Sequence, residues 1–143
     1  MSDDLTSKHR DRLPPMMKLL GVDLVSVEKA RVVAQLKISA DLGNGNGVMH
    51  GGAFMAFADH IGAIGTVVNL PRGMRTATIE SKTNFFYPGL IGETLTAESV
   101  PLHIGSKTMV WQTRITDSKG RMLAQVTQTQ IVMPLDRAQE TIG

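Results

Sequence analysis

At 143 residues and 15.5 kDa the chain is one domain long, and its 42% apolar and 20% charged residues describe a globular protein, not a disordered one. It has no cysteine, which excludes disulfides, thiolate metal sites, iron–sulfur clusters and a cysteine nucleophile, and fits a reducing, cytoplasmic setting. Its 15 basic and 13 acidic residues leave a charge of +2 with no run of Lys or Arg, so no nucleic-acid surface is expected.

Residues 1–13 are polar and unlike a secretory or transit signal, and are expected to be a flexible segment ahead of a single domain over residues 14–134. Pro14 and Pro15 precede Met16, Met17, Leu19 and Leu20, and Gly21 follows: a short helix with proline at its start and glycine at its end. From Val22 to Ser39 the period becomes two. Val32, Ala34, Leu36 and Ile38 share one face of a strand, Arg31, Gln35, Lys37 and Ser39 the other, and Glu28-Lys29-Ala30 turns between two strands. The run Gly43-Asn44-Gly45-Asn46-Gly47 is a loop.

Residues 53–70 are apolar almost all round. Asp59 and His60 at the middle oppose a membrane span, so this segment reads as a buried helix whose small residues let other backbone approach. Four strands are predicted next, over 76–87, 93–104, 107–116 and 121–133, with Asp117-Ser118-Lys119-Gly120 as a hairpin turn and 135–143 as a tail. One long helix among about six mostly antiparallel strands is an α+β layer fold in which the sheet wraps the helix. One sheet leaves part of such a helix bare, so a second copy is expected to cover it.

The chemistry concentrates between Asn44 and Asp59. His50-Gly51-Gly52 stands where the helix begins, where unpaired N–H groups carry partial positive charge. Gly51 and Gly52 are therefore a candidate oxyanion site; the plain alternative is a junction that needs glycine for its turn. Asp59 is flanked by Phe57, Ala58, Ile61 and Ala63. A carboxylate in such company either pairs structurally or does chemistry. The four histidines show no metal-ligand spacing, and neither G-x-S-x-G nor G-x-G-x-x-G occurs; no metal or cofactor is expected.

Gly51 and Asp59 are eight residues apart, about 12 Å along a helix. One helix cannot bring both to one carbonyl carbon. Two antiparallel helices about a two-fold axis can, with Gly51 of one copy facing Asp59 of the other.

The segment H-G-G-A-F-M-A-F-A-D (residues 50–59), preceded by Asn44 and followed by T-A-T-I-E-S-K-T-N-F-F-Y-P-G, resembles the hotdog-fold acyl-CoA thioesterases of the phenylacetic-acid-degradation type, within the 4-hydroxybenzoyl-CoA thioesterase-like superfamily. The resemblance spans about residues 14–133. It implies a hotdog fold, hydrolysis of an acyl- or aryl-CoA to acid and CoA, and a homodimer, with two dimers pairing into a tetramer. It implies Asp59 as general base or nucleophile and the Gly51 N–H as the group that polarises the thioester carbonyl. Asn44 and His50 match positions that support the loop and bind carbonyl or water, and Thr78 matches a residue that orients the water. It places Asp59 and Thr78 on one subunit and Asn44, His50 and Gly51 on its mate. Neither route needs a metal.

Met49, Phe54, Met55, Met74 and Met109 are candidates for an adaptable acyl lining, with core packing as the alternative for each. Arg72, Arg75, Lys82 and Lys107 are candidates for the CoA phosphates, with a solvated surface role as the alternative. The rival functions are a hotdog module that binds acyl-CoA without cleaving it, which an intact Asp59 opposes, and a hotdog dehydratase, whose motifs are missing.

Overall fold

The period-two segments build one sheet in the computed structural model, which describes residues 2–136. Strands β1 (Val22–Glu28) and β2 (Arg31–Lys37) form a hairpin, with Val32, Ala34 and Leu36 turned inward. β3 (Met74–Phe85), β4 (Thr94–Ile104), β5 (Thr108–Thr116) and β6 (Met122–Pro134) complete six antiparallel strands in the order β1-β2-β4-β5-β6-β3. The predicted turn joins β5 to β6: Asp117 Oδ1 accepts from the N–H groups of Lys119 and Arg121, both at 2.9 Å, and Gly120 takes φ +81°.

The two edges of the sheet are treated differently. Helix α1 (Ser2–Arg10) lies against β1, where Thr6 Oγ1 accepts from the Val27 N–H at 3.0 Å and Arg10 donates to the Leu24 carbonyl at 2.6 Å. The segment 1–13, expected to be flexible, instead carries this helix; its polar composition conceals side-chain bonds to a strand edge, and Leu5 and Leu13 pack on the core. Helix α2 (Pro15–Leu20) follows as predicted and ends at Gly21, φ +78°. The other edge, β3, carries exposed Ile79 at a bulge where the register shifts between Thr78 and Glu80. No strand covers that edge among the described residues.

Helix α3 (Gly51–Val67) crosses from β2 to β3. It starts two residues before the predicted point because His50 caps it, and ends three residues early because Asn69 Nδ2 donates to the carbonyls of Gly65 and Lys29, both at 2.8 Å. Phe54, Phe57, Ala58, Ile61 and Ile64 pack inward against Leu24, Leu36, Leu95, Ile115, Leu123 and Val126. Gly52, Met55, Ala56, Asp59, Ala63 and Val67 form the outer stripe of the same helix, and none of them is fully buried. The sheet wraps α3 from one side only. This is the hotdog arrangement that the resemblance implies. Residues 137–143, most of the expected tail, lie outside the described residues; Leu135 still bonds to β3's approach through Gly73 (3.0 Å). Among the described residues no helix is long and apolar enough to cross a membrane.

Candidate active site

The outer stripe of α3 presents Asp59 to the inner face of β3. Thr78 donates its hydroxyl proton to Asp59 Oδ1 at 2.7 Å. Gln130 Nε2 donates to Thr78 Oγ1 at 2.6 Å, and the Thr76 hydroxyl lies between two acceptors, the Ile131 carbonyl at 2.8 Å and Gln130 Oε1 at 3.1 Å. Gln128 Nε2 donates to the Asp59 carbonyl at 3.0 Å and reaches Oδ1 at 3.5 Å. One carboxylate oxygen is thus fixed by a chain of donors running back into β6, while Oδ2 has no partner among the described residues. Asp59 was expected among apolar neighbours; it is half-buried, with its polar contacts supplied across the helix–strand gap.

Gln128 reaches the helix because position 62 is glycine: a Cβ there would stand 2.4 Å from its amide. Gln128 and Gln130 escaped the sequence reading, yet a signal existed. They share the strand parity of Ala124, Val126 and Val132, so both had to point inward and find partners.

The other half of the motif lies at the opposite end of α3. His50 caps the helix, and its Nδ1 accepts from the Gly52 N–H at 2.8 Å. The Gly52 amide is therefore already engaged. The Gly51 N–H, at the first helical position, has no intrahelical acceptor and no other partner among the described residues. Of the two candidate oxyanion donors, Gly51 alone is available. The glycine loop is pinned by Asn44 N–H to Val48 O (2.9 Å), Met49 N–H to Gly89 O (2.8 Å) and His50 N–H to Leu42 O (2.8 Å). Asn44 Oδ1 accepts from the Asn46 N–H at 2.9 Å, so this side chain shapes the loop.

Gly51 opens on a cleft of about 340 Å³ lined by Met49, Phe54, Phe85, Phe86, Tyr87 and Pro88. The three consecutive aromatics are half-exposed, and Phe54 meets Phe85 edge to face at 6.0 Å. Met49 and Phe54 line this cleft, whereas Met55 stands 40% exposed on the outer stripe of α3. Met74 and Met109 do not line it. They pack with Trp111, Val132 and Leu70 in a separate cluster.

The candidate phosphate-binding residues are dispersed. Arg75 pairs with Asp136 at 3.5 Å, its Nε buried without a partner. Lys82 is exposed on β3, Lys107 between β4 and β5, and Arg72 ahead of β3. Among the described residues no group of three His, Asp or Glu side chains could hold a metal ion. His60, beside Asp59, is pushed below its ordinary value by burial, a shift that Asp59 partly offsets.

Comparison with known proteins points the same way. The pattern of the thioesterase superfamily matches residues 46–124, more than half of the chain. A 1,4-dihydroxy-2-naphthoyl-CoA hydrolase of Listeria monocytogenes is 30% identical over 108 residues, covering 76% of this chain and 87% of that protein. The acyl-coenzyme A thioesterase PaaI of Escherichia coli is 29% identical over 107 residues, 75% of this chain and 74% of that one. Among solved structures, smu.793 from Streptococcus mutans bound to acetyl CoA superposes with a TM-score of 0.74 at 26% identity, covering 81% of this chain and 91% of that one.

Proposed function

The chain belongs to the thioesterase superfamily and is an acyl-CoA thioester hydrolase, and we propose that it cleaves its substrate at a site shared between two copies of itself. The observation that carries this reading is the tethered carboxylate of Asp59, with Oδ1 held by Thr78 and Oδ2 left open on the uncovered face of α3.

Asp59 Oδ2 takes a proton from water as that water attacks the thioester carbon. Thr78 holds the carboxylate in place; its own proton is committed to Oδ1, so toward the water it can only accept. The carbonyl oxygen gains charge and rests on the Gly51 N–H of the second copy, where the helix dipole adds to the hydrogen bond. The intermediate collapses to carboxylic acid and expels the CoA thiolate, which takes up the proton.

Three features support sharing. Gly51 and Asp59 are about 12 Å apart along one helix, too far for one carbonyl. The outer stripe of α3 has apolar Met55 and Ala56 on the Gly51 side of Asp59. The β3 edge is long and open, with Ile79 exposed. A dimer joining these two surfaces buries both. CoA leaves through the cleft between copies, its phosphates near the basic side chains of β3 and the β4–β5 connection.

The test is release of free thiol from a panel of acyl- and aryl-CoAs, with Asp59→Asn beside the wild type. Turnover that disappears in the variant supports the reading. Tight binding without turnover on any member would make the protein a binding module.

A further inference from the structure

We propose that the cavity next to Asp59, rimmed by His9, Arg12 and His60, selects acyl groups that end in a carboxylate. This rests on the hydrolase reading above and names the class of substrate that the site takes.

The cavity holds about 310 Å³ between the end of α1, the outer flank of α3 and the start of β3, and is distinct from the cleft at Gly51. Its position follows from two elements already tied to the carboxylate. Ala63 and Val67 line it one and two helical turns beyond Asp59, about 6 and 12 Å along the axis. Thr76 lines it from β3, two residues before Thr78 on the same face. An acyl group whose carbonyl sits at Asp59 and whose body follows α3 therefore enters this cavity. The volume is at the small end of ligand sites and suits an arene or a short chain.

The floor is apolar, but the rim is basic. Arg12, like Arg72 and Arg114, has no ion-pair partner among the described residues, and of these three it alone lines the cavity. His9 and His60 are both pushed below their ordinary value, first by burial; Lys8 and Arg12 add to the effect at His9, and His9 adds to it at His60. Burial thus keeps both imidazoles neutral and leaves the positive charge at this end to Arg12 and Lys8, and the acid acting on His60 is Asp59, at the reacting end. A purely aliphatic end would desolvate the guanidinium with nothing in return. A carboxylate meets it with charge-assisted hydrogen bonds.

The experiment compares 4-carboxybenzoyl-CoA with 4-methylbenzoyl-CoA, nearly equal in shape, on wild type, Arg12→Gln and Arg12→Lys. In wild type, kcat/KM should favour the carboxylated ester by about tenfold or more. Arg12→Gln should abolish that preference while changing the methyl ester's rate by less than about twofold, and Arg12→Lys should keep most of it. Equal rates in wild type, or a preference that survives Arg12→Gln, would overturn the proposal. Calorimetric binding of free terephthalate, the acid product, runs in parallel to separate the two readings. If neither ester is cleaved while another acyl-CoA of the panel is, the proposal fails; if no member of the panel is cleaved, the hydrolase reading fails, yet terephthalate binding that depends on Arg12 still supports the anion-selecting cavity. Terephthalate that does not bind, or binds Arg12→Gln equally well, overturns it.

Discussion

The Thr78 hydroxyl donates to Asp59 Oδ1 across the gap between β3 and α3, at 2.7 Å, while Gln130 donates to the same hydroxyl from β6 at 2.6 Å. The hydroxyl has one proton, and this arrangement commits it to the carboxylate. Removing it frees Asp59 to swing along the outer face of α3. A hydrogen bond to a charged group is worth about 1.5–3 kcal/mol. Thr78→Val should therefore lower kcat by roughly 10- to 100-fold with KM little changed, as steady-state kinetics on any accepted acyl-CoA will show.

Two glycines on the inner face of α3 should respond differently to alanine. At Gly62 the new methyl meets the far end of the Gln128 side chain, 2.4 Å away, and that amide can move. At Gly65 it meets the rigid ring of buried Trp111 at 2.7 Å. Gly62→Ala should lose turnover more than stability, because displaced Gln128 releases Asp59. Gly65→Ala should lose about 1–3 kcal/mol to overpacking, partly offset by about 1 kcal/mol of helix propensity, and keep its kcat while folded. Thermal melts and kinetics on both variants separate the two effects.

Acid should weaken the fold in two separate ranges. His60 in the folded chain lies below its ordinary 6.5, chiefly through burial. Between those two values the unfolded chain binds a proton that the folded chain does not, so stability is full above about pH 6.5 and declines below it. Asp117 lies below its ordinary 3.8, chiefly because the Arg121 N–H bonds its carboxylate. Its contribution is lost only as pH falls below that value. Tm should thus decline from about pH 6.5 to pH 5 in wild type, less steeply in His60→Gln.

The strands were legible because inner-face residues alternate plainly, as in Val32, Ala34 and Leu36, and the β5–β6 turn was legible because Asp117 and Gly120 are what that turn needs. The motif from Gly51 to Asp59 fell on α3 as expected, with its two ends far apart. Helix α1 was hidden because its anchors, Thr6 and Arg10, are polar residues serving a strand edge, which composition alone does not reveal. Met74 and Met109 look like lining residues in the sequence but belong to a packing cluster around Trp111, because methionine suits both roles. The small residues of α3 were read as room for backbone; Gly62 and Gly65 make room for the side chains of Gln128 and Trp111.

Subunit complementation tests the shared site most directly. Gly51→Pro removes the one free N–H at a position where proline suits a helix start, and His50 already has the extended backbone that precedes proline (φ −63°, ψ 137°). Alone, it should cost about 10²- to 10³-fold in kcat, and Asp59→Asn alone should be nearly inactive. Unfolded together and refolded as a mixture, the two variants form mixed dimers with one intact site each. Turnover should return to roughly a quarter of the wild-type rate. A mixture that exchanges subunits yet stays as inactive as its parents would place Gly51 and Asp59 in separate roles and contradict the account.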